Sequence, residues 1–515
     1  MTISTLLCFF CLFSVAAGDS FSLKEATIGD IQLAFSRNEI TSRRLTELYL
    51  SQIESLNPLL RCVLEVNPDA LEQAEEADRR RLAADLRGDL DGVPVLLKDS
   101  IETADKMNTT LGSYALLGAR AERAAHVVER LRMAGAVILG KASLSEWYSL
   151  RSPEMPPGWC ARSGQGLNPY VESGDPCGSS SGSAIAVAAN MVAVSLGTET
   201  DSSIICPADH NSVVGFKPTV GLTSRAGVVP ISARQDSVGP ICRTVADATL
   251  VLESIIGLDP RDNEATKEAS TFIPEGGYKQ FLKEDGLEGK RLGIVRNPFS
   301  ASFNGSTATR TFEDHLRTLR NRGATVVDNL EISNIDIIMD PMRSGEMPLL
   351  LAEFRRSINR YLKELADSPV RSLAEVITFN LNHPDMEKMD MYNQDGLIAA
   401  EMTSALDDDE LTKAEKIMEQ LSRDGFEKLM KENELDAMVT LGANAATVMA
   451  IGGYPAITVP GGYDEKGMPF GICFGGLKGA EPKLIEIAYS FEQATMMQRP
   501  PFSTFSSKMD NHCHE

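Results

Sequence analysis

From about residue 90 the apolar residues fall in runs of strand length, and the stretches between them carry helical spacing. Val93-Pro94-Val95-Leu96-Leu97 is followed by a helix pattern over Ala119–Ala134, with Val127, Val128 and Leu131 on one face, and then by Val137-Ile138-Leu139. A second round gives a helix of small residues from Ser183 to Asn190 and the strand Val192-Ala193-Val194-Ser195-Leu196. Strands and helices that alternate in this way bury a sheet under helices, so the expected fold class is α/β.

Upstream, residues 27–58 read as helical, with Leu45, Leu48, Tyr49, Ile53 and Leu56 at helical spacing after a Thr41 cap. Residues 69–87 read as a charged helix whose Arg79-Arg80-Arg81 run is offset by Glu75, Glu76 and Asp78, a solvated face. Downstream, residues about 262–430 are more polar and read as a peripheral helical region. Residues about 435–500 return to strand patterns, as in Ala456-Ile457-Thr458-Val459-Pro460, and are expected to rejoin the sheet.

The 515 residues are 43% hydrophobic, enough for a large core. The net charge of −22, from 72 acidic and 50 basic residues, argues against nucleic acid as a partner, which needs a basic footprint. Leu6-Leu7-Cys8-Phe9-Phe10-Cys11-Leu12-Phe13 followed by Ala16-Ala17-Gly18 reads as a signal peptide over residues 1–18, without Lys or Arg before the apolar run. A secretory, secreted or luminal location and no membrane span after its removal are the expectations. Nine cysteines, or seven without Cys8 and Cys11, are irregularly spaced; one or two bridges fit, with no pairing deducible. Asn108-Thr109-Thr110 and Asn304-Gly305-Ser306 are glycosylation sequons, the second in the more loop-like setting. The chain is open to a homodimeric assembly.

Two serine-rich blocks carry the candidate chemistry: Gly178-Ser179-Ser180-Ser181-Gly182 and Thr200-Asp201-Ser202-Ser203-Ile204. About eighty residues upstream Lys98 ends an apolar run. The first block precedes a helix, whose N-terminal N–H groups would face Ser179 and Ser180. The second follows a strand, where successive N–H groups can point into one concavity and stabilise an oxyanion. A lysine can activate a serine only as the neutral amine. Free lysine titrates near about 10.4, so burial must destabilise the cation by roughly 4 kcal/mol. Gly178 to Gly182 also fits G-x-S-x-G, which would make Ser180 a nucleophile served by histidine. That reading needs a strand running into the turn, and the preceding Asn168-Pro169-Tyr170 and Gly174-Asp175-Pro176 are loop-like. His512-Cys513-His514 reads as a frayed tail before a metal site, and no metal or cofactor is expected.

These residues resemble the amidase signature family. The likeness spans about 25–500 and is densest from 90 to 260, in Gly92-Val93-Pro94-Val95-Leu96-Leu97-Lys98-Asp99, Pro176-Cys177-Gly178-Ser179-Ser180-Ser181-Gly182, Gly197-Thr198-Glu199-Thr200-Asp201, Gly215-Phe216-Lys217-Pro218-Thr219 and Asp236-Ser237-Val238-Gly239-Pro240. Its peptide amidase-like branch is the nearest in character. The resemblance implies one amidase domain over 19–515, built on a large mixed central sheet covered by helices on both faces. It implies a Ser–Ser–Lys triad: Ser203 as nucleophile, Ser179 bridging after a cis peptide bond, and Lys98 as base. The backbone N–H groups of Thr200, Asp201, Ser202 and Ser203 would form the oxyanion hole, with Ser180 as a supporting hydroxyl. The implied reaction is hydrolysis of a carboxamide C–N bond in a small-molecule or peptide amide. Transfer of the acyl group to an amine, and a silent binding protein on the same scaffold, are the alternatives. Three positions depart from the family pattern: Ser202 and Ser212 stand where glycine is usual, and Asp209 where a small apolar residue is usual. If residue 202 must adopt positive φ, the added Cβ bears directly on activity.

Overall fold

A computed structural model describes residues 21–299, 305–405 and 408–501. The signal-peptide reading, the Asn304 sequon residue and the His512-Cys513-His514 tail lie outside the described residues.

The strands in chain order are β1 (Val63–Val66), β2 (Pro94–Lys98), β3 (Val137–Ala142), β4 (Trp159–Cys160), β5 (Gly164–Gln165), β6 (Val194–Glu199) and β7 (Val214–Lys217). They continue with β8 (Ser237–Cys242), β9 (Arg291–Val295), β10 (Thr325–Leu330), β11 (Ala437–Leu441), β12 (Ala456–Tyr463) and β13 (Pro469–Gly475). Eleven of them form one sheet in the order β1-β3-β2-β6-β8-β7-β12-β13-β11-β9-β10, while β4 and β5 make a separate hairpin. The sheet is mixed. β2 runs parallel to both β3 and β6, β8 is antiparallel to β6 and β7, and β12 is antiparallel to β7 and β13. Every residue of β2, β3, β6, β7 and β8 is buried, as befits strands covered on both faces, and the polar Lys98, Lys141, Ser195, Glu199 and Lys217 are buried with them. No helix among the described residues is long and apolar enough to cross a membrane.

Several boundaries shift from the sequence reading. Residues 27–58 form two helices, Ile28–Ser36 and Ser42–Leu60, the second capped by Thr41 as expected. The charged helix is Ala70–Leu82. The helix expected from Ala119 starts at His126, because the preceding backbone is extended: Arg120 pairs with Asp367, and the Ala125 N–H bonds to the Glu102 carbonyl. The region 262–430 is not wholly peripheral or helical. It contributes β9 and β10, which extend the sheet beyond β11.

The sheet order brings Lys98, at the end of β2, to the same edge as Thr198 and Glu199, at the end of β6, since these parallel strands are hydrogen-bonded neighbours. Side chains at the carboxyl ends of adjacent parallel strands share one crevice, the usual place for a ligand site in such sheets.

Candidate active site

Lys98 and the two serine blocks converge at that crevice. The Nζ of Lys98 lies 2.8 Å from Ser179 Oγ and 3.0 Å from the Thr198 carbonyl oxygen. Ser179 Oγ lies 3.0 Å from Ser203 Oγ. The hydroxyls can run either way along this line. With Lys98 protonated it donates to Ser179, which donates to Ser203; with Lys98 neutral the direction reverses.

Each residue is held from its backbone. The peptide bond Gly178–Ser179 is cis. A Cβ on Gly178 would collide with Ser145 Oγ, so glycine lets the two segments approach closely. The Ser145 N–H bonds the Ser179 carbonyl at 3.1 Å, and the Ser180 N–H bonds the Ser203 carbonyl at 3.1 Å, so the two serine turns are stitched together. Ser181 opens the helix Ser181–Ala188, two residues earlier than the sequence indicates. Ser180 does not sit as a nucleophile. It is fully buried, its Oγ donates to the Thr198 carbonyl at 3.1 Å and accepts from the Thr198 N–H at 3.2 Å, and no strand leads into its turn. The G-x-S-x-G reading is thereby set aside, and Ser180 supports the end of β6.

The second turn is anchored by Glu199. One carboxylate oxygen accepts the N–H groups of Ile204 at 2.6 Å and Ile205 at 2.9 Å, directly after Ser203. The Asp201, Ser202 and Ser203 N–H groups have no protein acceptor among the described residues. Asp201 is fixed by Thr447, whose hydroxyl donates at 2.9 Å. Thr200 donates to Asp236 at 2.6 Å, while Gln235 joins the Thr200 carbonyl to the Glu346 carboxyl. Ser202 has φ +61° and Ser212 has φ +53°, so both departures from glycine fall at left-handed positions that the serines nevertheless occupy. Asp209 is buried and has its partner: its carboxylate accepts the Gly471 N–H.

Electrostatics favour a neutral Lys98. The side chain is fully buried, and desolvation holds its pKa well below the usual lysine range, against the opposing pull of Glu199 and Asp236. The same burial raises the carboxyls: Asp236 titrates at about 6, Glu199 is raised, and Asp201 is raised well above the ordinary range by burial and by the nearby Glu346. Lys217, bonded to the Tyr454 carbonyl at 2.7 Å, is lowered to about 8 by burial and gives Glu199 a cationic neighbour. A small cavity of about 10 Å³ is lined by Tyr148, Thr198, Glu199, Thr200 and Asp236. A larger cleft of about 620 Å³, lined in part by Val220, Phe272, Arg423, Tyr454 and Lys478, contains none of Lys98, Ser179 and Ser203.

Cys177 and Cys206 form a disulfide beside the two turns. His210 offers a ring nitrogen near both sulfurs, but sulfurs bonded to each other supply no thiolates for a metal. Asn108 is engaged by Glu65 and by the Gly118 N–H, and Thr110 is buried on Asp99, so this sequon is tied into the fold. Sequence reasoning missed Glu346, Gln235 and Thr447, which reach the site from distant segments. It also passed over Glu199, although Glu199 stands inside the motif Gly197-Thr198-Glu199-Thr200-Asp201.

Residues 44–485 match the amidase family. The chain is 58% identical over 492 residues to a probable amidase of Arabidopsis thaliana, covering 95% of this chain and 93% of the relative. The native peptide amidase of Stenotrophomonas maltophilia superposes with a TM-score of 0.87 at 42% identity, covering 94% of this chain and 99% of that one. An amidase family protein of Bacillus anthracis gives a TM-score of 0.87 at 33% identity over 93% of each chain. With a mixed eleven-stranded sheet of the peptide amidase fold and a family match over most of its length, this chain belongs to the amidase signature family.

Proposed function

We propose that the protein hydrolyses a carboxamide C–N bond through an acyl-Ser203 intermediate. The observation that carries the reading is the line from Lys98 Nζ to Ser179 Oγ to Ser203 Oγ, at 2.8 and 3.0 Å. Ser203 Oγ attacks the carbonyl carbon while its proton passes to Ser179 and the Ser179 proton passes to neutral Lys98. The carbonyl oxygen becomes an oxyanion facing the N–H groups of residues 200–203, three of which have no protein acceptor among the described residues. The relay then reverses. Lys98 returns a proton through Ser179 to the departing nitrogen, the C–N bond breaks, and the amine leaves neutral. Water attacks the Ser203 ester, giving its proton to the same relay, and the acid is released.

The likeness to a peptide amidase supports a peptide amide as substrate. A secretory location is part of the proposal; the apolar run before residue 19 and a disulfide within the fold support it. The test is Ser203→Ala assayed on a peptide amide with product identification. Loss of acid release and of fluorophosphonate labelling is the expected result, and full hydrolysis by Ser203→Ala sinks the mechanism. Excess added amine distinguishes hydrolysis from transfer: acid alone supports the proposal, and an acylated amine as main product overturns it.

A further inference from the structure

Cys177 precedes Ser179 by two residues, and Cys206 follows Ser203 by three. Their disulfide is therefore a covalent tie between the turn carrying the bridging serine and the turn carrying the nucleophile, which otherwise meet through Ser179 Oγ–Ser203 Oγ and Ser180 N–Ser203 O. The arms on both sides are stiff. The Cys177 carbonyl accepts the Ser181 hydroxyl at 2.5 Å, and the Cys206 N–H bonds the Ser202 carbonyl at 2.8 Å. Cys177 itself has φ +52°, a left-handed conformation that a residue with a Cβ leaves readily unless held.

We propose that the Cys177–Cys206 disulfide is a positioning element of the reaction, setting the spacing of Ser179 and Ser203, and that its reduction by a small dithiol slows acyl-enzyme formation in a protein that stays folded. The proposal rests on the triad reading above. Reduction transfers two electrons and two protons from the dithiol, which closes to a cyclic disulfide and leaves thiols at Cys177 and Cys206. Both cysteines are partly exposed, whereas Cys62, Cys160, Cys242 and Cys473 are free and buried. With the tie cut, two hydrogen bonds besides the serine contacts still join the same segments. Asn211 donates to the Pro176 carbonyl at 2.9 Å, and a His210 ring nitrogen lies 2.9 Å from the Asp175 carbonyl oxygen. These hold the neighbourhood together, but they act on residues 175 and 176, one step further from Ser179. A displacement of about 1 Å between reacting groups costs roughly a hundredfold in rate.

The experiment uses the full chain, oxidised, then reduced with dithiothreitol, then reoxidised, with kcat and KM for amide hydrolysis and the rate of fluorophosphonate labelling measured at each stage. The expected result is a fall in kcat and in labelling rate of roughly 10–100-fold, a KM changed less than about threefold, unchanged far-ultraviolet circular dichroism and recovery on reoxidation. Cys177→Ser combined with Cys206→Ser should have the reduced protein's kcat and ignore dithiothreitol. Unchanged kcat with only a lower melting temperature overturns the proposal, making the tie structural alone. Loss of the dichroism signal on reduction also overturns it. Ser203→Ala separates the two readings: activity surviving in that variant condemns the triad, whereas an inactive Ser203→Ala beside a fully active reduced enzyme condemns only the positioning role.

Discussion

Glu199 Oε2 lies 2.6 Å from the backbone nitrogen of Ile204, and the same oxygen takes the next N–H, that of Ile205. One carboxylate thus clamps the two residues after the Ser203 position. Glu199→Gln keeps an oxygen for both donors and should stay within about threefold of wild-type kcat. Glu199→Ala leaves two buried N–H groups unpaired, a loss of about 1–3 kcal/mol for each group, and should lower kcat by at least about tenfold through a loosened turn. Steady-state kinetics and urea unfolding of the pair check this; equal kcat in both variants would show that the clamp does not matter.

Lys98 must be neutral to act as base, and burial already holds its pKa well below the usual value of 10.5. The pH profile of kcat/KM should therefore rise along a single-proton limb centred well below 10.5. The same burial carries a stability cost. The unfolded chain binds a proton on Lys98 that the folded chain resists, so stability rises with pH between the folded pKa and 10.5. Lys98→Met should abolish hydrolysis yet unfold at higher denaturant at pH 7, a gain of at least about 1 kcal/mol that shrinks as pH approaches 10.5. A less stable Lys98→Met protein would contradict this account.

Asp236 titrates at about 6, raised by burial, and once ionised it favours the Lys98 cation. Asparagine in its place can still accept from Ile231 and Ser232, which now bond one carboxylate oxygen at 2.8 and 2.9 Å. Removing a negative charge near an ammonium lowers that ammonium's pKa. Asp236→Asn should move the kcat/KM limb toward lower pH, and a shift toward higher pH would reverse the assigned sign. Because the folded Asp236 pKa lies above its ordinary 3.8, its own contribution to stability is present at low pH and is lost as pH rises from about 4 through about 6.

Ser202 occupies φ +61° with its Cβ in place. Ser202 thus holds a left-handed conformation that glycine adopts freely, at a local cost of about 1–2 kcal/mol. Ser202→Gly should consequently change kcat by less than about threefold. A rise of 10²–10³, the worth of a regained oxyanion donor, would show that serine misaims the turn.

Much of the candidate site was legible because each of its parts is a short contiguous motif, although the motifs themselves are separated in sequence. Lys98, Ser179, Ser180 and residues 200–203 are carried by strand ends and tight turns whose motifs are contiguous, and the structure brings them together at the carboxyl ends of β2 and β6. What escaped depends on distant segments. Thr447 on Asp201, and Glu346 on Gln235, join positions far apart in sequence. β9 and β10 were missed because a run such as Thr325-Val326-Val327-Asp328-Asn329-Leu330 is weakly apolar, and only pairing with β9 makes it a strand. The cysteine pairing was illegible for a similar reason: the spacing of 29 residues does not say that two turns fold back against each other. The start of the His126–Met133 helix was misplaced because tertiary pairing at Arg120 and Ala125 overrides local propensity.

The sheet order also has a consequence for biosynthesis. β7 is flanked by β8 on one side and by β12 on the other, and β12 begins only at Ala456. During translation the half of the sheet that carries Lys98 and both serine turns is complete some two hundred residues before its neighbour emerges. Throughout that interval β7 presents an open, apolar edge, the kind of template on which chains aggregate. Asp201 likewise lacks Thr447 until the last stretch of chain is made. The nascent chain therefore carries Lys98 and both serine turns early and the strand that shields β7 late.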